Sequence, residues 1–534
     1  MLIDLDQEAA GGSYSSEVCV LGAGIAGLVL ATRLAGRGFK VHLLEAGGLE
    51  LEERSQRLYQ AEMAGDRHAG ASEGRFRVFG GSSTRWGGQL LPYTEDIFSP
   101  GTGMPSHGWP IGALAIERYY PEVLGIMGAD GLPFGAELLE PLGRPAVGFG
   151  DGVRLRFSKW APFGRRNLAN SLGRECLGNA NVTVFTHANA MAVEEAGGRV
   201  EAGGRVEAGG RVEAVTVKNY SGAGFTFRAE QFVVCLGTIE SARLLLGSPG
   251  RDGRGVGNGF DQVGRYFHDH VGVRVAEFAG AARARVLDRL GPFYVKQTLH
   301  TCKLEASAAL REREGLPAAM AHVVIEEPED SGVAAVRNLL GSVQRGKFKE
   351  AVGSNLGPML RGLGDVARLA WDSRVRRRRA VSARARVSLK IDIEQVARAE
   401  DRIRLGDARD ALGQRKAVVD WRIGEEERAA AKAYARVVKA ELEAVGMGGL
   451  AWAPGVLDGG PMAMEDTFHP MGGLRMGDDA RSSVVDRELR VHGVENLHVA
   501  SCAVFPAGGS SNPTFTMMAL TLRLAERLTG LLRE

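Results

Sequence analysis

One stretch near the amino terminus limits the folds open to this chain. The apolar run Glu17-Val-Cys-Val-Leu21 leads into Gly22-Ala-Gly24-Ile-Ala-Gly27 and an Ala/Leu-rich segment to Gly36, and a second run, Lys40-Val-His-Leu-Leu44, ends at Glu45. Strand, tight glycine turn, helix, strand is the pattern of a parallel βαβ unit, with the helix as crossover. In that setting Gly22 permits the turn, Gly24 lets the backbone approach a pyrophosphate, and Gly27 lets the helix pack close. The unpaired N–H groups of the helix start are offered to phosphates. Glu45, at the end of the second strand, can accept from both hydroxyls of a ribose. A dinucleotide site and an α/β fold follow. The spacing alone does not choose between FAD and NAD, but the amino-terminal position and the Ala46-Gly-Gly after Glu45 favour FAD.

At 534 residues the chain exceeds one ordinary core, since domains hold roughly 100 to 200 residues, so two intertwined domains are expected. Hydrophobic residues at 44% and charged residues at 24% give a globular balance. A formal net charge of +2 argues against a nucleic-acid partner, which needs a concentrated basic surface. The cysteines, Cys19, Cys176, Cys235, Cys302 and Cys502, are odd in number and scattered, without a CxxC pair or His/Cys ligand cluster. Disulfide, thiol-redox and metal-site readings lose their support. The first 18 residues are acidic and lack an apolar signal core, and no run reaches the ~18 apolar residues of a membrane span. A cytoplasmic protein without a transmembrane segment is the expectation.

Arg77-Val-Phe-Gly-Gly81-Ser82-Ser83-Thr-Arg85-Trp86-Gly87-Gly88 is a second glycine-rich stretch. It reads as an extended loop whose backbone runs close to something flat or charged. Gly108-Trp-Pro110 and Tyr119-Tyr-Pro121 bracket a predicted helix. Between 182 and 236 short β runs follow, VTVFT, AVTV, FTFRA and QFVVCLG, and EAGGRV occurs three times in succession from Glu195, Glu201 and Glu207. The repeat reads as a hairpin lengthened by duplication, with no function assigned. FVVCLGTIESARLLL is a further strand feeding a helix through Gly237. From 273 to 464 the pattern is less regular: strand-like ARVSLKIDI, RIRLGD and AVVDWRI, then a charged helix from Glu425 to Val445. Arg374 and the run Arg376 to Arg379 read as a solvated basic face, with an anionic-substrate or membrane-surface patch as the other reading.

The carboxy-terminal segment carries the most chemistry. Phe468-His469-Pro470-Met471-Gly472-Gly473 is followed by an apolar strand, NLHVAS, and by Gly508-Gly-Ser-Ser-Asn512-Pro513-Thr514 opening a long amphipathic helix. Asn512 is expected as the helix N-cap and Pro513 as its first residue. The positive end of that helix suits negative charge, such as that on a reduced flavin. His469 is a side chain able to accept a proton near neutral pH. The His268-Asp269-His270 stretch is read as structural or as contacts of the substrate domain.

Four segments taken in order, GAGIAG…LLEAGG, GGSSTRWGG, VVCLGTIESARLLL and HPMGGLRMG…NPTFTMMALTLRLAERL, resemble the glucose-methanol-choline (GMC) oxidoreductase family. Within 273–464 the resemblance extends to RAEDRIRLGDARDALGQRKAVVDW. It implies a Rossmann-like FAD-binding domain from 1–95, 180–272 and 465–534. A discontinuous α+β substrate domain, a sheet with helices, would come from 96–179 and 273–464. By motif position His469 falls on the family's catalytic histidine and Asn512 on its His-or-Asn partner, facing the flavin N5. The flavin would also meet Met191, Gly237, Ala500, Ser501, Asn512, Pro513 and Thr514. Asn at the partner position is similar to the cholesterol-oxidase and pyranose-oxidase branches. In the pyranose-oxidase loop a histidine carries covalent FAD. Arg85 stands there in this chain, so the resemblance implies noncovalent FAD. Trp86 stands where many members have Asn, which removes that side-chain contact.

The activity implied is oxidation of a CH–OH group to a carbonyl, with hydride transfer to flavin N5. The small-molecule alcohol could be a carbohydrate or glycoside, a sterol, or a secondary-metabolite alcohol. The electron acceptor, oxygen or another, is left open. A flavin monooxygenase or halogenase would share the first glycine motif without needing the HPMGG…NP arrangement, and a disulfide reductase would need a cysteine pair.

Overall fold

A computed structural model describes residues 1–99, 108–196, 210–344, 364, 367, 371 and 377–534. Arg374 and Arg376 and the interior of the EAGGRV repeat lie outside them.

The amino-terminal motif folds as its pattern dictates. Ser13–Leu21 pairs in parallel with Val41–Leu44, and helix Ile25–Ala35 connects them. Residues 18–21 are fully buried, as a strand covered on both faces by crossovers must be. An eight-stranded sheet grows from this pair. On one side Val41–Leu44 is followed by Val182–Thr186 and Leu2–Asp4, both parallel. On the other, Gly224–Val234 runs parallel to Ser13–Leu21 and to Leu497–Val499, while Arg211–Lys218 and Asn189–Ala196 continue antiparallel. FTFRA and QFVVCLG thus form one strand rather than two. It feeds helix Gly237–Gly247, and the flanks of the EAGGRV repeat pair as a hairpin. Chain from three distant regions completes one parallel core.

The second sheet has nine strands, all antiparallel. Its main path runs Ala451–Trp452, His270–Glu277, Arg386–Glu394, Ala319–Glu326, Thr298–Ala306, Val153–Trp160 and Gln89–Leu90. Strand alternation separates its faces. Val387, Leu389, Ile391 and Ile393 pack into an apolar core with Leu304, Ala321 and Val275. Helix Glu425–Ala444 covers that face with Ala431, Tyr434, Ala435 and Val438, and Tyr434 Oη donates to the Leu304 carbonyl at 2.7 Å. The opposite face carries Lys303, Asp392 and Glu394, all buried. A polar face kept from water needs partners, and the partners lie toward the carboxy-terminal loops.

A three-stranded sheet joins Arg402–Arg409 and Arg415–Trp421 to Glu62–Gly65, the last pair in parallel. The 402–421 hairpin, grouped by sequence with the substrate domain, therefore attaches to the amino-terminal segment. Gly108-Trp-Pro110 and Tyr119-Tyr-Pro121 bracket a short helix, Leu114–Glu117, and Tyr119-Tyr-Pro121 also opens a second one, Tyr120–Met127, because proline is tolerated in the first turn. Within the basic run, Arg378 pairs with Asp288 at 2.8 Å and Arg379 is largely shielded from water, so the described part is not a uniform solvated face.

Candidate active site

A cavity of about 590 Å³ is lined by both ends of the sequence pattern, the Gly22–Gly24 turn and the His469 and Asn512 loops. The turn is built by glycine where nothing else fits. Gly22 has φ +102°, and a Cβ there would lie 2.7 Å from the Cys235 carbonyl oxygen; a Cβ on Gly27 would lie 1.9 Å from the Gly22 oxygen. Gly27 therefore does not line the cavity but lets the helix close down on the turn. At Gly24 an added Cβ would meet nothing within 4 Å. That open space beside a helix start is a fitting cradle for a pyrophosphate.

Glu45 lines the cavity, buried. One carboxylate oxygen accepts from Ala23 N at 3.1 Å and the other from Gly47 N at 2.8 Å. Burial raises its pKa and those backbone donors only partly offset it. Each oxygen keeps a lone pair for a hydroxyl. Ala46 lines the wall beside it.

The 77–88 loop closes the cavity from the side. Gly80 N donates to the Ala23 carbonyl at 2.9 Å, and a Cβ on Gly81 would lie 2.9 Å from Gly24 Cα. Gly81, Ser82, Arg85, Trp86, Gly87 and Gly88 line the wall, and Trp86 Nε1 donates to the Arg166 carbonyl at 2.8 Å. Ser83 does not. Its hydroxyl turns inward to donate to the Gly80 carbonyl and accept from Leu168 N, pinning the loop. Gly237, Ala500, Ser501, Pro513 and Thr514 are on the wall as well. Met191 is not. Ala188 and Ala190 take that place, since neighbouring residues of a strand face opposite ways, and Met191 contributes a carbonyl that accepts from Gln414 Nε2 at 2.9 Å.

His469 is held on every side. Its Nε2 lies 2.8 Å from Asn512 Nδ2, and its Nδ1 lies 2.9 Å from Thr467 Oγ1 and 3.0 Å from His270 Nδ1. Its backbone N–H donates to both oxygens of Asp269, at 3.0 and 2.9 Å; Asp269 also accepts from Thr467 N and from His270 N. The carboxylate thus straddles Phe468, whose φ of +62° is an uncommon conformation for an aromatic residue. Burial disfavours the charge on Asp269, but a hydrogen bond from His68 and the nearby imidazoles outweigh it and hold the carboxyl below its usual range. Burial, reinforced by His270, lowers His469 to about 4.

Asn512 is not a helix cap. The helix begins at Thr514, Pro513 is its cap residue, and no side chain bonds its first turn. The amide is spent on His469 instead, and Asn512 Oδ1 is buried without a hydrogen-bond partner.

Several further wall residues are not singled out from the sequence, although all but Arg75 lie inside its quoted segments. Arg75, Arg77, Glu240, Arg243 and Gln414 line the cavity. Arg243 bonds Glu240 and Asp410, and Arg75 bonds Glu240. Gln414 belongs to the hairpin grouped by sequence with the other domain, and only the pairing of that hairpin brings it here. His270 and Asp269, read from sequence as structural or as contacts of the substrate domain, support His469 directly. His68, Asp269 and Asp466 also converge, but Asp466 already accepts from Ala69 N and Gly70 N and Asp269 from His469 N. That cluster is spent on holding backbone.

Comparisons with known proteins bear on the fold and on two segments of the chain. Residues 397–521 match the GMC oxidoreductase family model, and residues 20–48 match that of an NAD(P)-binding Rossmann-like domain. The chain is 24% identical to the fructose dehydrogenase large subunit of Gluconobacter japonicus, with 98% of this chain and 99% of that one covered. Over 12% of each chain it is 39% identical to paromamine 6'-oxidase of Streptomyces fradiae. The crystal structure of pyridoxine 4-oxidase from Mesorbium loti superposes with a TM-score of 0.55 at 17% identity, covering 96% of this chain and 99% of that one, which shows a shared fold. No described helix is long and apolar enough to cross a membrane. Residues 397–521 thus match the GMC oxidoreductase family, and the segments that resemble the family lie in order and are brought to one cavity.

Proposed function

We propose that the chain is an FAD-dependent oxidoreductase that converts a CH–OH group to a carbonyl, with His469 as proton acceptor and Asn512 as its partner. The observation that carries this is the 2.8 Å pair of His469 Nε2 and Asn512 Nδ2 on the wall of the cavity that the Gly22–Gly24 turn also lines. The residues fit the cofactor: the space at Gly24 for a pyrophosphate, Glu45 for a ribose, and the glycine loop for a flat ring. When bound, FAD supplies the acceptor for the hydride that leaves the alcohol carbon.

The remaining work falls to this chain. His469, neutral at pH 7 because burial lowers its pKa, takes the hydroxyl proton at Nε2. Asn512, whose Nδ2 stands 2.8 Å from His469 Nε2, orients the hydroxyl by donating to its oxygen as the proton moves to the ring. The start of helix Thr514–Leu531 presents its positive end to the cavity wall at Pro513 and Thr514, where it stabilises negative charge. Arg85 cannot form a histidyl linkage, which supports noncovalent FAD. The five cysteines are free, and all but Cys502 are buried, which fits a reducing, cytoplasmic setting. The substrate class favoured is a carbohydrate or glycoside or a secondary-metabolite alcohol, with a sterol as the alternative within the family.

Anaerobic addition of a panel of sugars, sterols and small alcohols, followed by air, tests the reading. Bleaching of the flavin absorbance by an alcohol is expected. Bleaching by NADPH and by no alcohol would move the chain to the monooxygenase class. Acid precipitation should release yellow flavin into the supernatant, whereas flavin kept in the pellet would overturn noncovalent binding.

A further inference from the structure

Beneath His469 lies a chain of contacts that ends on a group whose role is fixed by its chemistry. His270, fully buried, places Nε2 3.1 Å from the Gly508 carbonyl oxygen. A carbonyl only accepts, so His270 must carry its hydrogen on Nε2. In the neutral ring Nδ1 is then a lone pair, and it faces His469 Nδ1 at 3.0 Å, the two rings inclined at 78°. His469 must therefore hold its own hydrogen on Nδ1. Thr467 argues the same way. Its hydroxyl hydrogen goes to Asp269 Oδ1 at 3.2 Å, leaving the oxygen to accept from His469 Nδ1 at 2.9 Å.

We propose that His270 is a positioning residue, seconded by Thr467, that fixes the tautomer of His469 and leaves its Nε2 without a hydrogen, its lone pair held by the Asn512 amide until a hydroxyl takes that place. The direction of each bond in the relay is then set. Asn512 Nδ2 donates to His469 Nε2, His469 Nδ1 donates to His270 Nδ1, and His270 Nε2 donates to Gly508. The other tautomer would set lone pair against lone pair at Nδ1 and N–H against N–H at Asn512. The orientation of the Asn512 amide, which diffraction alone rarely distinguishes, is fixed by the same logic: its NH₂ faces the ring, and its Oδ1 faces away from it. A histidine poised as a base needs this state before substrate arrives, and the wrong tautomer silences one.

The inference rests on His469 being the proton acceptor proposed above, and the test separates the two. In holoenzyme labelled with ¹⁵N-histidine, the His469 signals are those lost in His469→Ala. Nε2 should give the signal of a bare ring nitrogen and Nδ1 that of an N–H. In the double variant His270→Leu/Thr467→Val, both acceptors at Nδ1 are gone. The His469 hydrogen should redistribute to Nε2, and flavin bleaching should slow roughly tenfold or more, with flavin content kept. His270→Asn with Thr467 intact should restore the parent tautomer and most of the rate, because its Oδ1 can stand near the place of Nδ1; a loss of packing alone would not be rescued this way. A parent His469 protonated on Nε2 would overturn the proposal, as would a double variant with the parent tautomer and rate. Full-rate bleaching by His469→Ala would instead overturn the proton-acceptor reading, whatever the tautomer.

Discussion

His469 is neutral at pH 7 because it is buried, and the role proposed for it requires a neutral imidazole that can still take a proton. His469→Ala leaves the glycines untouched, so the variant should purify yellow. Its flavin bleaching by substrate should slow by roughly 10² to 10⁴, the usual worth of a positioned acid–base group. Stopped-flow absorbance reads this, and a parent rate would make His469 structural. The parent bleaching rate should be level above about pH 6.5 and decline as pH falls toward 4, where a proton already occupies the ring. Asn512→Ala should slow bleaching too, yet leave the thermal midpoint nearly unmoved, since the amide caps no helix. A loss of the size a missing N-cap brings, about 1 kcal/mol, would contradict that. Glu45→Gln keeps the size but weakens one acceptor, so FAD retention on gel filtration should fall while the loaded fraction still turns over.

At the level of elements, the glycine turn separates two kinds of need. A Cβ on Gly27 would drive into the Gly22 carbonyl, so Gly27→Ala must push the helix off the strand, and both expression and FAD content should drop. A Cβ on Gly24 meets nothing of the protein. Gly24→Ala should therefore fold with a near-parent thermal midpoint as apoprotein and bind FAD much more weakly, because the methyl occupies the phosphate's space. Calorimetric unfolding paired with FAD titration checks both; equal losses of stability in the two variants would show that the turn is strained rather than reserved. The carboxy-terminal helix shows how function overrides a local preference. Asn512 has the side chain of a cap, but His469 competes for it, and the tertiary contact wins.

Over the whole molecule, burial of neutral histidines links stability to acid. His42, set among Tyr14, Phe185 and Phe227, is lowered to about 4 by burial, as are His498 and His469, and His322 falls to about 3. Unfolding returns each toward 6.5, so the unfolded chain binds more protons between about 6.5 and 4. Stability should rise with pH across that window and be lost as pH falls through it. The thermal midpoint at saturating FAD should drop between pH 7 and pH 5; a flat profile would mean that these rings are charged in the fold.

Much of this architecture is written locally. The βαβ unit, the strand Arg386–Glu394 with its alternating faces, and the helix Glu425–Ala444 follow from spacing and periodicity, which act over a few residues. The His469 and Asn512 motifs were legible because glycine-supported loops stand out against regular periodicity. Tertiary structure alone decided the rest. Gln414 reaches the cavity because its hairpin pairs with Glu62–Gly65, some 350 positions earlier. Asp269 and His270 become the support of His469 because two loops about 200 residues apart are packed together. Met191 and Ser83 leave the wall through strand alternation and a turned-in hydroxyl. The physical reason is common to all of these: propensity and pattern report how a residue treats its neighbours in the chain, whereas a buried polar group must find its partner wherever the fold brings one.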